Sequence, residues 1–118
     1  MDVCVLLVTC PDPRVAESIA RALVEERLAA CGNVLGPLTS VYRWKGRMHR
    51  DSEVLLLLKT RRGLVRRCTR RVKSLHPYEL PEIIAVPVVG GLPSYLAWVD
   101  SETRPAPSRR RPTGSRPS

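Results

Sequence analysis

The stretch "VCVLLVTCPDPRVAESIARALVEERL", residues 3–28, changes its hydrophobic period halfway and decides how the fold begins. Residues 3–8 are apolar at every position, which is typical of a central strand covered on both faces. Asp12 is suited to cap a helix and Pro13 to begin it, because proline lacks the N–H that would have no partner there. The apolar residues that follow form one helical stripe: Ala16, Ile19, Ala20, Leu23, Val24 and Leu28. The sequence therefore predicts a strand followed at once by a helix.

The next two strands are predicted to form a long hairpin. Residues 31–44 are rich in β-forming side chains but are interrupted at Gly36 and Pro37, which predicts a strand with a bulge or bend. Residues 45–51, "KGRMHRD", predict a hairpin loop, and residues 52–60 predict a strand covered on both faces. The two strands would make one extended antiparallel arm.

A second helix is predicted to begin near Gly63 and to end at His76, since Pro77 disfavours the α conformation of the residue before it. Its apolar residues would face inward. Its arginines and lysine would face outward, and we interpret this basic stripe as a solvated surface.

The C-terminal part of the domain predicts one more strand and a short helix. Residues 83–89, "IIAVPVV", are typical of a strand in which Pro87 favours an edge position. Residues 90–102 predict a turn and a short helix with Tyr95 and Trp98 on one face.

The order of these elements predicts an α+β, ferredoxin-like βαββαβ sandwich with an antiparallel sheet, a long β-hairpin arm and a short C-terminal helix. Both main helices of this fold lie on one face of the sheet. Strands that are apolar on both faces need a second cover, which a chain of 118 residues does not supply. The sequence therefore predicts association with further copies of the chain.

The formal net charge of +9 is concentrated at the C-terminal end. Residues 104–118 contain five arginines and no acid, so the remainder has 15 basic against 11 acidic residues, a net charge of +4. Their Pro, Ser and Arg composition predicts a disordered basic tail after a single domain at residues 1–103. The tail is either simply solvated or a weak binder of acidic partners. No specific nucleic-acid partner is expected, because most of the excess charge belongs to the tail.

Two features of the chain predict a cytoplasmic protein without a membrane span. Asp2 stands where a signal peptide would be positive, and no apolar run approaches the roughly 20 residues that a spanning helix needs. The four cysteines form no C-x-x-C pair, so we expect free thiols.

The segment "LHPYELPE", residues 75–82, holds the best candidates for metal ligands. His76 offers a nitrogen that suits copper or zinc, and Glu79 and Glu82 offer hard oxygens. Because a stable site normally needs about four ligands, one chain supplies too few. Our hypothesis is a weak cation site that a neighbouring copy completes. In the alternative, His76 only caps the end of its helix.

Five segments together closely resemble the CutA family of divalent-cation tolerance proteins, over about residues 3–100. The resemblance depends on their order and spacing as well as on their content. The segments are "RLAAC" (27–31), "TSVYRWKGR" (39–47), "DSEVLLLLKT" (51–60), "HPYELPEIIAVPV" (76–88) and "YLAWV" (95–99).

The resemblance implies a homotrimer of ferredoxin-like subunits in which the arm of each copy pairs with a neighbour's sheet. It also implies a link to copper and other divalent cations, with copper or another divalent cation as a weakly bound cofactor. Copper binding in the family is associated with a first-strand cysteine and a histidine pair before Pro-Tyr. Here Cys4 and Cys10 do not align with that position, and Leu75 precedes His76. Cys10, just after the predicted strand, is the better thiol candidate.

Five further residues match family motif positions and are expected to cluster at a subunit cleft. In that cleft Lys59 would meet Glu82 or an anionic ligand. Packing alone is the alternative explanation. The five residues are Trp44, Lys59, Tyr78, Tyr95 and Trp98.

The expected function is therefore that of a non-enzymatic CutA-like homotrimer involved in tolerance of divalent cations. Two alternatives stay open, namely a trimeric interaction or anchoring scaffold with a protein partner, and a sensor of small molecules like the PII signalling proteins. An enzyme would need a nucleophile and a base placed together. No local signature joins Cys10 or Cys31 to His76 in that way.

Overall fold

The computed structural model of the protein describes residues 2–105, in which four strands form one antiparallel sheet. The strands are β1 (Val3–Cys10), β2 (Cys31–Trp44), β3 (Arg47–Arg61) and β4 (Ile83–Pro87). Their order across the sheet is β2-β3-β1-β4, so β4 is an edge strand, as Pro87 predicted. This order and the helices between the strands confirm the ferredoxin-like α+β fold.

Three helices connect or follow these strands: α1 (Pro13–Glu25), α2 (Val65–Leu75) and α3 (Pro93–Glu102). Asp12 caps α1 as predicted, its Oδ1 atom accepting a hydrogen bond from the backbone N–H of Val15 at 2.9 Å. A 3₁₀ turn at Arg62–Leu64 leads into α2, which therefore begins two residues later than predicted.

The helices α1 and α2 cover one side of the sheet, which we call the helix face. Leu6 and Val8 of β1 and Leu56 and Leu58 of β3 are fully buried there, against α1 residues such as Leu23. Burying a side chain of this size stabilises the fold by roughly 1.5–3 kcal/mol. Val24 was predicted to face this core but is 40% exposed, because it lies about 100° around the helix from Leu23 and beyond the buried stripe.

The opposite side of the sheet, which we call the open face, is also apolar but is covered only in part. By strand alternation it carries Leu7 and Leu57, which are half-buried, and Ile84, which is 50% exposed. Helix α3 covers one end of this face, where Val99 packs on Val3. Within residues 2–105, the remainder of the open face has no cover comparable to the one that α1 and α2 give the helix face.

The hairpin of β2 and β3 forms the predicted arm and helps to give the molecule a longest dimension of 54 Å. The prediction of a seven-residue loop at 45–51 is wrong. The turn consists of Lys45 and Gly46 alone, with φ values of 53° and 79°, and Trp44 pairs directly with Arg47. Two residues with positive φ form the turn whose twist matches that of the strands, so pairing extends to the tip.

The predicted irregularity of β2 lies where expected, as a shift in register between Leu35 and Leu38. Gly36 is required at this point because a Cβ atom there would lie 2.5 Å from Cγ1 of Val54. The close approach of the Val54 side chain therefore fixes the residue type.

The predicted tail, residues 104–118, lies outside the described residues except for Arg104 and Pro105. Arg104 lies beside α3, with its Nη2 atom 3.0 Å from Oδ1 of Asp100. In the described part of the chain, each helix is too short or too polar to cross a bilayer.

Candidate functional site

A groove of about 560 Å³ lies between the hairpin arm and the loop that joins α2 to β4. The arm contributes Ser40–Trp44 and Asp51, and the loop contributes Tyr78–Leu80 and Glu82. Thr9, near the end of β1, and Glu53, in the middle of β3, complete the lining. We call this space the acidic groove, since its lining contains four carboxylates and one cation, Arg43.

Two of the four carboxylates are held by tyrosines. The Tyr78 hydroxyl donates to Oε2 of the buried Glu53 at 2.7 Å, and the Tyr42 hydroxyl donates to Oδ2 of Asp51. Burial, followed by the hydrogen bond to Glu53, raises the pKa of Tyr78 well above its usual range. The hydrogen bond to Asp51 is the main reason why the pKa of Tyr42 is raised. Both hydroxyls therefore keep their protons at neutral pH and act as donors.

The other two carboxylates, Glu79 and Glu82, are exposed. Neither forms an ion pair or a hydrogen bond with another residue of the described range 2–105. Both were predicted as cation ligands, and the structure places both at the acidic groove with their oxygens available.

His76 is buried beside the groove, with both ring nitrogens in hydrogen bonds. Its Nε2 atom lies 2.8 Å from the carbonyl oxygen of Thr9, and its Nδ1 atom accepts from the backbone N–H of Tyr78 at 3.2 Å. A carbonyl only accepts, so Nε2 carries the proton and the ring is the neutral tautomer. No lone pair is left for a metal unless the bond to Tyr78 opens. His76 is the C-cap residue of α2 by position, but its ring bonds to β1 and to the following loop and not to the helix carbonyls named in the alternative.

Cys10 is fully buried on the helix face, within the core. Burial, with smaller contributions from the negative charges of Glu53 and Asp12, raises the pKa of its thiol from 9.0 to about 11. At neutral pH the group is a protonated thiol, whereas metal ligation and nucleophilic attack need the thiolate. The four cysteines are free, as expected.

Within residues 2–105, no three His, Cys, Asp or Glu side chains are grouped so that they could hold a metal ion. The four predicted ligands of one chain are thus not placed together to hold a metal ion. These ligands are His76, Glu79, Glu82 and Cys10. A cation site that a second copy completes stays a prediction.

The five residues predicted to share a cleft are divided between two places in one chain. Trp44 and Tyr78 line the acidic groove. Tyr95 and Trp98 pack at the other end of the sheet, with ring centroids 5.5 Å apart. Their position next to a neighbour's groove stays a prediction.

Lys59 lies with this second group rather than near Glu82. Its Nζ atom donates to Oδ1 of Asn33 and lies 3.9 Å from Sγ of Cys31, which in turn is 3.4 Å from the Tyr95 hydroxyl. The expected contact between Lys59 and Glu82 is not formed within the chain.

Sequence reasoning missed Tyr42, Asp51 and Glu53, which complete the acidic groove. Asp51 was assigned to a loop, and Tyr42 was assigned to a strand without any role. Strand pairing to the tip brings both residues to one side of the arm. Near the tip, His49 is half-buried and stacks on Tyr42 with ring centroids 5.3 Å apart. A shorter turn in the prediction would have revealed these pairs.

Comparison with known proteins gives a consistent result. Residues 4–102 match the family model described as "CutA1 divalent ion tolerance protein". "Protein CutA" of Mus musculus is 54% identical over 96 residues, which are 81% of this chain and 54% of the mouse protein. The "divalent-cation tolerance protein CutA" of Thermus thermophilus is 50% identical over 99 residues, which are 84% of this chain and 96% of that protein.

A solved structure gives the same relationship for the fold. The crystal structure of CutA from Xylella fastidiosa superimposes with a TM-score of 0.85 at 47% identity, covering 88% of this chain and 100% of the other. The chain spans little more than half the length of the animal relatives that it matches. The names of these relatives refer to divalent-cation tolerance or to CutA alone, and they describe no enzymatic reaction.

Proposed function

Since the chain belongs to the CutA1 divalent ion tolerance protein family, we propose that it acts in tolerance of divalent cations, as a non-catalytic homotrimer that binds cations weakly between its copies. The observation that carries this proposal is the pair of exposed, unpaired carboxylates at the acidic groove, Glu79 and Glu82.

The charge of the groove supports cation binding. Four carboxylates face a single guanidinium, that of Arg43, so the groove attracts cations. Glu79 and Glu82 together give two carboxylate ligands, with four oxygens, that have no competing partner in residues 2–105. Oxygen ligands suit hard divalent ions, and this set lacks the nitrogen and sulfur ligands of tight copper sites, so copper would bind weakly.

The open face supports the assembly of several copies. Leu35, Ile84 and Val86 are 40–50% exposed and continue the half-buried row of Leu7 and Leu57. Large contiguous apolar surfaces are unusual on monomers and mark interaction sites. Covering this surface would gain roughly 25 cal/mol for each Å² of apolar area removed from water. A homotrimer would have a mass of about 40 kDa, three times the 13.2 kDa of one chain.

Titration of the full-length protein with Cu(II) and Zn(II), followed by native mass spectrometry, tests both parts of the proposal. We expect trimers that carry bound cations, and cation binding at least about tenfold weaker in Glu79→Gln/Glu82→Gln, since each change replaces a negatively charged carboxylate by a neutral amide with a single oxygen. The matched control is Glu17→Gln/Glu25→Gln, which removes two exposed carboxylates from α1 and should leave binding unchanged.

Equal cation binding by the groove variant and the wild type would contradict the assignment of the site. Intact trimers that bind no cation would instead favour the scaffold function, for which a pull-down of protein partners is the next measurement. His76→Ala adds a third comparison. Unchanged heats of Cu(II) binding in this variant would show that the imidazole is structural, in agreement with its two hydrogen bonds.

A second candidate function, small-molecule sensing, is favoured by the size and lining of the acidic groove. A volume of about 560 Å³ with Tyr42, Trp44 and Tyr78 on its walls is in the range of ligand pockets. A ligand for this groove would be cationic rather than anionic, given its charge. A thermal shift with such a compound should be lost in Trp44→Ala and kept in Lys59→Ala, because Lys59 lies outside the groove.

A cytoplasmic location stays a prediction. Its support is the set of four free thiols, which suits a reducing compartment. Fractionation of cells with an antibody against the native protein would test it.

A further inference from the structure

The outward side of α2 and its preceding turn is a continuous basic surface. Between Arg62 and Leu75 the chain has six cations and no acid. Arg71 alone is paired, with Glu26 at 2.8 Å. The other five are exposed, and we call them the basic face: Arg62, Arg66, Arg67, Arg70 and Lys73.

None of these five side chains has a hydrogen bond or an ion pair with another residue of the described range 2–105. They repel one another instead. Arg62, Arg66 and Arg70 are successive i,i+4 neighbours, and like charges at this spacing destabilise a helix. Arg66 and Arg67 also lie in the first turn of α2, where the helix dipole is positive and favours anions.

The neighbouring helix α1 differs in this respect. It carries Arg14, Glu17, Arg21 and Glu25, so its charges cancel, and Arg21 is paired with Glu17 at 2.9 Å. The basic face is therefore a local property of α2 and not a general consequence of the net charge.

The position of the basic face keeps it accessible. Helix α2 buries Cys68 and Val72 against the helix face of the sheet, so its charged side is turned away from the sheet. The open face and the acidic groove involve other surfaces. Association of copies through the open face would leave the basic face in solvent on each copy.

We propose that the basic face of α2 is a docking surface for the phosphate backbone of duplex nucleic acid, bound without sequence preference. This goes beyond the proposed function and does not depend on it. Four of the five cations are arginines, whose planar guanidinium groups hold phosphate oxygens in pairs. The five span about 16 Å along the helix axis, at 1.5 Å per residue, which is enough to meet several phosphates of a duplex.

The side chains around these arginines indicate which class of polyanion the basic face fits. Single strands are held by stacking on aromatic rings, and the segment from Arg62 to Leu75 contains none. Membrane-bound helices insert an apolar side into the lipid, whereas Cys68 and Val72, the apolar residues at the centre of α2, are buried in the protein. Thr69 and Ser74 donate their hydroxyls to the helix's own carbonyls and are not directed to a partner. Contact with a duplex backbone through charge alone fits these features.

Fluorescence anisotropy with the full-length protein and labelled 30-bp duplexes of two unrelated sequences tests the proposal. The basic-face variant is Arg66→Gln/Arg70→Gln/Lys73→Gln. The matched control is Arg109→Gln/Arg110→Gln/Arg111→Gln, which lowers the net charge equally but changes the C-terminal tail. Glutamine keeps helix propensity, and removal of like-charge pairs should hold the melting temperature at or above that of the wild type.

We expect the wild type to bind both duplexes with equal affinity, and this affinity should fall steeply as the salt concentration rises. The basic-face variant should bind at least about tenfold more weakly at 50 mM salt, with the slope of log K against log salt reduced by about 0.9 for each lost phosphate contact. The tail variant should keep most of the affinity. No duplex binding by the wild type, or an equal loss in the two variants, would overturn the proposal. Tighter basic-face-dependent binding to phosphatidylserine vesicles than to duplex would assign the surface to membranes and overturn it as well.

Discussion

Leu57 and Leu58 are adjacent in β3, yet they lie in different surroundings. Leu58 is fully buried on the helix face, whereas Leu57 is half-buried on the open face, among neighbours such as Ile84 that are exposed by half. The strand is apolar at both positions, but the chain's two main helices can cover only one side of the sheet. One face is therefore completed by the chain itself, and the other stays partly exposed within residues 2–105. The following predictions test this difference.

The largest effect is expected on the open face, from Ile84→Glu. A carboxylate in the centre of a subunit contact would be desolvated without a partner, which costs several kcal/mol per ion and prevents association. We expect the assembly to dissociate into single chains, measured by light scattering or native mass spectrometry.

The control for this change is Val24→Glu on α1, at a position of similar exposure on the other side of the molecule. It should leave the mass of the assembly unchanged. A wild-type protein that is monomeric and stable at micromolar concentration would show that the open face needs no cover.

On the helix face, Leu58→Ala should reduce the free energy of unfolding by about 2–5 kcal/mol, because it leaves a cavity in a closed core. Leu57→Ala removes the same atoms one residue away. In the dissociated Ile84→Glu background it should cost clearly less, since its site is half-open. Urea unfolding of both variants in that background measures the difference, and equal losses would mean that the two faces are equally well packed.

The third prediction concerns the thiol of Cys10 on the helix face, whose pKa is about 11 in the fold against 9.0 without it. Between these two pH values the unfolded thiol ionises and the folded one does not. Unfolding then releases a proton, so stability is kept below pH 9 and falls as the pH rises to 11. At about 1.4 kcal/mol per pKa unit, the loss should be roughly 2–3 kcal/mol.

Comparison with Cys10→Ala isolates this contribution from those of other titrating groups. The variant should be less stable than the wild type at pH 8 and should show a smaller decline from pH 9 to 11. Parallel pH profiles for the two proteins would contradict the burial of this thiol.

The smallest loss of stability is expected for Tyr78→Phe, which removes the hydrogen-bond donor of Glu53, the one buried carboxylate of the acidic groove. Glu53 would lose its donor at 2.7 Å, at a cost of about 1.5–3 kcal/mol for a hydrogen bond to a charged group. Water can enter the groove and replace the donor, so we expect the lower end of this range. Thermal unfolding at pH 7 measures it, with Tyr42→Phe, whose partner Asp51 is exposed, as the control that should change little.

Most of the fold followed from local pattern. The change of period after Cys10, the cap at Asp12 and the stop at Pro77 each act through the residue's own backbone chemistry, and all three mark element ends in the structure. The turn at Lys45 and Gly46 was misjudged because the charged residues at 47–51 read as a loop. In an exposed arm, pairing with the partner strand decides the conformation, and polar side chains do not oppose it.

The site was less predictable, because its geometry depends on contacts between distant segments. The sequence identified Glu79, Glu82 and Tyr78 from one rigid loop, but Glu53 is 25 residues away from its partner Tyr78. His76 was a reasonable ligand by residue type. Only the fold shows that the carbonyl of Thr9, 67 residues away, occupies its second nitrogen.

By itself the sequence determined the order of strands and helices, the apolar character of both sides of the sheet, and the family, since periodicity, capping and proline placement are local properties. Only the tertiary structure decided which side of the sheet stays uncovered, which carboxylates remain unpaired, and that the five cations of the basic face have no partner among the described residues. Hydrogen bonds and burial join residues that are far apart in the chain, so their outcome depends on packing, which no local pattern encodes.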